Sequence, residues 1–288
     1  MNKTLIIIAM LTMVSTASLN AQGFQKVKFA NKKQIDEFFN SKTMVVMDAN
    51  SLLGYNIVVK NAVDKYWTIT QYEVVTSARF NELYKDPKLS FIFLSKVQLE
   101  RDKEEVHYLY MDIVMGDEVD DISGLPVLLS IPLAYTGVDE ETYVDKLPLM
   151  IRFAQVHLNN LKTAKNPKTF NNLKTYNKDS KFLKDKTLLV MQDDLSEEVN
   201  TLEKIQKVYN GAVKIVDSKT VEKAIEEKTA NTAILHQVSP GTEDNRGRSY
   251  CQIYGTHDAK LYYFNHQKIT KRRPSGMLAN DFRLIRWR

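Results

Sequence analysis

Five histidines and one cysteine are the residues best suited to chemistry in this 288-residue chain. Three of the histidines, His236, His257 and His266, fall close to Cys251. A thiol beside an imidazole is a nucleophile beside its base, and sulfur with nitrogen is a zinc ligand set. No two of these residues stand at the short interval of a structural zinc site, so no metal is expected. No G-x-S-x-G elbow is present either, since Pro274-Ser275-Gly276 lacks the second glycine and a strand before it. Strand alternation sets Cys251 with Ile253 on one face, and Tyr250, Gln252 and Tyr254 on the other. Cys251 therefore reads as a small buried hydrophobe. Cys251 paired with His236 or His257 is the one catalytic arrangement left open.

Two acidic clusters have simpler readings. Asp117-Glu118-Val119-Asp120-Asp121 lacks the D-x-[DN]-x-[DN]-G order of a calcium loop and reads as a solvated turn. Asp193, Asp194, Glu197 and Glu198 fit a helix start, where carboxylates meet the positive end of the dipole and Asp194 has capping-box spacing to Glu197. The cations are the best candidates for binding. Arg246, Arg248, Lys271, Arg272 and Arg273 give the second half a basic end suited to lipid headgroups, lipopolysaccharide phosphates or an acidic protein. Trp67, Tyr250, Tyr254, Tyr262 and Tyr263 are candidate stacking residues for a glycan or lipid. Ten scattered glycines form no phosphate-cradling run, so no cofactor is expected.

These residues are positioned by two similar halves. Lys42-Thr43-Met44-Val45-Val46-Met47 matches Lys186-Thr187-Leu188-Leu189-Val190-Met191, and Phe38-Phe39 precedes the first as Phe182-Leu183 precedes the second. Val74-Val75 answers Ile215-Val216, with Phe80 against Val221. Phe91-Ile92-Phe93 answers Ala233-Ile234-Leu235, and His107 to Tyr110 answers Tyr250 to Ile253. A near-constant offset over four segments predicts a duplicated unit. Short apolar runs alternate with helical spacing, as in Val199, Leu202, Ile205 and Val208, which predicts one helix there. Each half reads β-α-β-α-β-β with a trailing strand and helix: an α/β fold of two tandem units, each a mixed sheet carrying helices. Pro126 and Pro132 make Leu125 to Tyr135 an edge strand or packed loop. The predicted organisation is residues 1–21 as a leader, 22–165 as the first unit, 166–185 as a solvated Lys/Asn-rich linker and 186–288 as the second unit. The element order is similar to that of the small α/β domain at the amino end of TolB-like envelope proteins. That resemblance implies fold alone and carries no residue role.

The leader has the three parts that export needs. Lys3 supplies a positive start, Leu5 to Val14 an apolar run broken by Thr12, and Ala21 a small residue before a cut. The ending Leu19-Asn20-Ala21-Gln22 resembles that of exported proteins of Bacteroidota. Cleavage leaves 39 basic against 35 acidic residues, a net charge of +4, which does not favour a nucleic-acid partner. With a single cysteine, no intramolecular disulfide forms, and an ordinary apolar core must hold the fold. Hydrophobic residues at 43% and charged residues at 26% supply that core and exclude a disordered chain. The expectation is a periplasmic or secreted, non-enzymatic envelope protein, a protein-interaction or structural module. Its partner would be another envelope protein or a second copy, with peripheral contact to membrane or lipopolysaccharide. A hydrolase with its site between the units, and a glycan- or lipid-binding module, are the other two readings.

Overall fold

The computed structural model describes residues 27–50, 54–99, 106–240 and 246–286. The leader predicted at 1–21 lies outside them. Helix α1 (Lys32–Phe38) opens on an Asn31–Gln34 capping box, each side chain bonding the other's backbone N–H at 3.0 Å. Strands β1 (Lys42–Met47), β2 (Gln71–Thr76), β3 (Leu89–Gln98), β4 (His107–Met115) and β5 (Val127–Tyr135) follow. Helices α2 (Gly54–Tyr66) and α3 (Ser77–Leu83) make the two crossovers, and α4 (Leu147–Thr163) ends the unit. The second unit repeats the order: β6 (Thr187–Val190), α5 (Leu202–Gln206), β7 (Ala212–Ile215), α6 (Ser218–Glu226), β8 (Thr232–Val238), β9 (Arg248–Gly255), β10 (Leu261–Lys268) and α7 (Ala279–Ile285).

The two sheets have one topology. The first runs β2-β1-β3-β4-β5 and the second, read from the same edge, β7-β6-β8-β9-β10. In each, the first three strands in chain order are parallel and the last two antiparallel. Two tandem α/β units with mixed sheets are thus what the chain forms. Proline-bearing β5 is an edge strand with two irregularities in its ladder, and Pro132, which has no N–H to give, pairs with Tyr110.

Register corrects the sequence alignment in an instructive way. Val45 lies between Val74 and Ile92, and its counterpart beside Ile215 is Val190, one residue beyond the Leu189 that the shared Lys-Thr suggests. Buried Phe38 likewise corresponds to buried Leu183, since Phe182 is exposed. Ile92 corresponds to Leu235, and Ile113, beside Ile92, to Ile253, so the match from His107 to Tyr110 shifts by three residues. The match of Val74-Val75 with Ile215-Val216 holds. A one-residue slip moves every side chain to the opposite face. These strands are buried on both faces and show no alternation from which parity can be read.

Once aligned by register, the faces explain the packing. Val45, Ile92 and Ile113 face α1, α2 and α4, while Met44, Val46 and Phe91 face Phe80 of α3. In the second sheet Val190, Leu235 and Ile253 face α5, α7 and Leu183, while Leu189 and Ile234 face α6 and the first unit. The units stack head to tail, with α4 between the sheets. That helix buries residues around most of its circumference, from Leu147 to Leu161, as a helix covered on two sides must. Its Phe153 meets Tyr254 edge to face at 5.2 Å. The segment read as a solvated linker is instead packed: its turns over Leu173–Asp185 bury Leu173, Tyr176 and Leu183. The helix predicted over 199–209 is broken, because Thr201 caps Lys204 N–H and starts α5 afresh.

Candidate functional site

The residues singled out for catalysis do not meet. His236 pairs with Gln252 across the β8–β9 ladder, so the adjacent Cys251 points the other way. Cys251 lies in the core under α7, and burial, with Asp281 and Asp194 adding to it, pushes its thiol well up and away from the reactive thiolate. His257 is exposed in the turn beyond β9, where its Nδ1 lies 3.2 Å from the Lys228 carbonyl. Among the described residues, no three His, Cys, Asp or Glu side chains form a group that could hold a metal ion. The aromatic candidates are interior: Trp67, Tyr250, Tyr254, Tyr262 and Tyr263 are all buried, which removes them as an open stacking surface.

The basic candidates divide in two. Arg248 works through its backbone at the seam between units. Its N–H is shared by Tyr135 Oη at 2.8 Å and Tyr108 Oη at 3.0 Å, and Tyr135 donates to its carbonyl at 2.6 Å. Neighbouring Gly247 has φ +83°, and a Cβ there would lie 2.6 Å from Tyr135 Oη, so only glycine fits. Exposed Arg246 contributes its carbonyl to the same tyrosine at 3.3 Å. Lys271, Arg272 and Arg273 are exposed on a turn closed by Thr270 and Arg273. A bond from Ile269 N–H to Gly247 O at 2.9 Å brings that turn to the same end of the sheet as Arg246 and Arg248.

A buried polar cluster lies elsewhere on the seam, at the carboxyl ends of β6 and β8. The sheet order reverses there, the place where open α/β sheets most often bind ligands. Lys146, just before α4, reaches across from the first unit to Asp194 of the second, with Nζ 3.8 Å from Oδ2. Both side chains are almost wholly buried. Asp194 is thus no helix cap. Its backbone carbonyl accepts from Met277 N–H at 2.8 Å, and Gly276, at φ +89°, approaches so closely that a Cβ would sit 2.8 Å from Ser196 N. His236 lies next to this pair. Its Nε2 is 3.3 Å from the Pro132 carbonyl, which accepts only, so Nε2 carries the proton and Nδ1 presents a bare lone pair. Gln252 donates to the same carbonyl at 2.8 Å.

Four buried polar atoms here have no hydrogen-bond partner: Lys146 Nζ, Asp194 Oδ2, Ser196 Oγ and His236 Nδ1. Burial raises the Asp194 carboxyl to about 6, against the opposing pull of Lys146. Burial lowers the His236 imidazole well below its usual range, and the positive charge of Lys146 lowers it further. The cluster therefore holds a carboxyl with a raised pKa, a neutral imidazole and a buried amine. Nothing in the sequence reading placed Lys146 here. The available signal was a cation at the start of an apolar helix, against the helix dipole. No family model matches the chain, and neither a curated protein nor a solved structure matches it.

Proposed function

We propose that the chain is an exported, non-enzymatic protein of the cell envelope that acts as a structural or protein-interaction module. The observation supporting this reading is the destination of its reactive groups. Cys251, His157, His236, Lys146 and Asp194 are all buried, and the last three lie on the seam that joins the two units. A single core runs across that seam, and Arg152 clamps it by donating to the carbonyls of Thr256 at 2.8 Å and His257 at 2.5 Å. The exposed surface includes a cationic end at Arg246 and Lys271 to Arg273, suited to an acidic protein or lipid surface. No helix among the described residues is long and apolar enough to cross a membrane.

The experiment is fractionation of cells producing the tagged chain, followed by cross-linking in intact cells and recovery under denaturing conditions. The reading expects a processed amino terminus near Ala21 in the periplasmic or secreted fraction, with a defined cross-linked partner or second copy. Cytosolic protein with its leader intact, or a monomer with no partner captured, would overturn it.

A further inference from the structure

We infer that Lys146 and Asp194 are sites of a covalent modification, an amide bond between their own side chains that fastens the first unit to the second. The inference stands on the seam geometry and is independent of where the protein acts. Lys146 Nζ lies 3.8 Å from Asp194 Oδ2, both side chains are mostly buried, and neither of these two atoms has a hydrogen-bond partner. An amide from these two groups has no need of cofactor, oxidant or metal, only of a neutral amine, a neutral acid and the exclusion of water. Burial disfavours charge on both groups, and the proposed step begins with passage of a proton from the ammonium to the carboxylate inside the pair. Burial that raises Asp194 acts in the same direction.

The step balances without redox change. The Nζ lone pair attacks Cγ of Asp194, and a proton leaves the attacking nitrogen as the C–N bond forms. The C–O bond to the hydroxyl then breaks, and that oxygen departs as water after taking up the proton. We assign the carriage of that proton to His236, whose Nδ1 has no hydrogen-bond partner while Nε2 faces Pro132 O. Groups already held side by side avoid the entropic cost of meeting, an advantage that reaches on the order of 10⁵ M in effective molarity for well-oriented pairs. The product also relieves the cluster. It replaces a buried amine and a buried carboxyl that lack hydrogen bonds by a neutral amide.

Mass spectrometry of the unaltered full chain tests this directly. After denaturation, the intact mass is expected to be lower by one water than the mass calculated from its observed amino terminus. Trypsin should not cut after Lys146, and fragmentation should show a branched peptide joining the segments around Lys146 and Asp194. Lys146→Arg and Asp194→Ala should each restore the full mass. The uncondensed mass with normal cleavage after Lys146 overturns the inference. A water loss confined to a linear peptide containing Asp194 overturns it too, since that marks a cyclic imide.

Discussion

Asp194 and Asp281 are both buried carboxyls in the second unit, yet their surroundings differ sharply. Asp281 accepts from Tyr263 Oη at 2.8 Å, Asn265 Nδ2 at 2.8 Å and Leu278 N–H at 3.0 Å, which tie β10 to the first turn of α7. Asp194 faces one ammonium group at 3.8 Å, and its Oδ2 receives no hydrogen bond. A buried carboxylate surrounded by donors holds a fold together. One left without them disfavours its own charge and is available for proton transfer. The two buried histidines repeat the contrast. His157 has both ring nitrogens engaged, Nδ1 with Tyr176 Oη at 3.0 Å and Nε2 with Leu128 O at 3.1 Å, whereas Nδ1 of His236 is free.

Substitution at the two aspartates should separate them most strongly. Asp281→Ala leaves two buried side-chain donors without an acceptor and is expected to cost about 4 kcal/mol in urea unfolding. In a Lys146→Met background, where no bond to Lys146 can form, Asp194→Asn keeps the shape and should stay within about 1 kcal/mol of its parent. Equal losses at the two sites would erase the distinction. Gly276→Ala comes next. It places a Cβ against Ser196 N at a backbone angle glycine alone accepts, and about 3 kcal/mol should be lost in the same assay.

The pH dependence sharpens the histidine comparison. Burial lowers His157 from 6.5 to about 4, so the unfolded chain binds a proton more readily than the folded one in that interval. Its share of the stability is present above pH 6.5 and falls away towards pH 4, by up to about 3 kcal/mol. His236 acts in the same direction. Asp194 that is not joined to Lys146, raised from 3.8 to about 6, acts in the opposite direction, its folded form losing stability as pH rises through that window. Thermal unfolding across pH 4–7 should therefore show a net loss on acidification, and His157→Gln should flatten it. The smallest effect is expected at the cationic end. Reversing Lys271, Arg272 and Arg273 to Glu should change stability by no more than about 0.5 kcal/mol, while weakening retention on anionic vesicles. Unchanged retention would remove that end from any role in binding.

Much of the architecture was legible in the chain. Short apolar runs separated by capping residues and helical spacing are local signals, and they reproduce the element order of both units. The parity of the strands was not legible, because Met44, Val45 and Val46 are all buried and no alternation marks the face. Nor was the packing of Leu173, Tyr176 and Leu183, scattered among lysines as they are. The seam cluster depends on contacts between positions far apart in the chain. Lys146 is read locally as a polar residue before a helix, and Asp194 as a cap. Only the stacking of the second sheet on α4 brings them together.

That stacking makes the two units one cooperative body, and unfolding followed by one probe in each unit tests it most directly. Trp67 is buried in the first unit and Cys251 in the second. In a Trp287→Phe background, urea unfolding can be followed by Trp67 fluorescence and by reaction of the Cys251 thiol in parallel. Superimposable transitions, with no thiol reaction before the fluorescence change, are expected. Exposure of Cys251 while Trp67 remains in its native environment would show that the units unfold separately and would contradict the account.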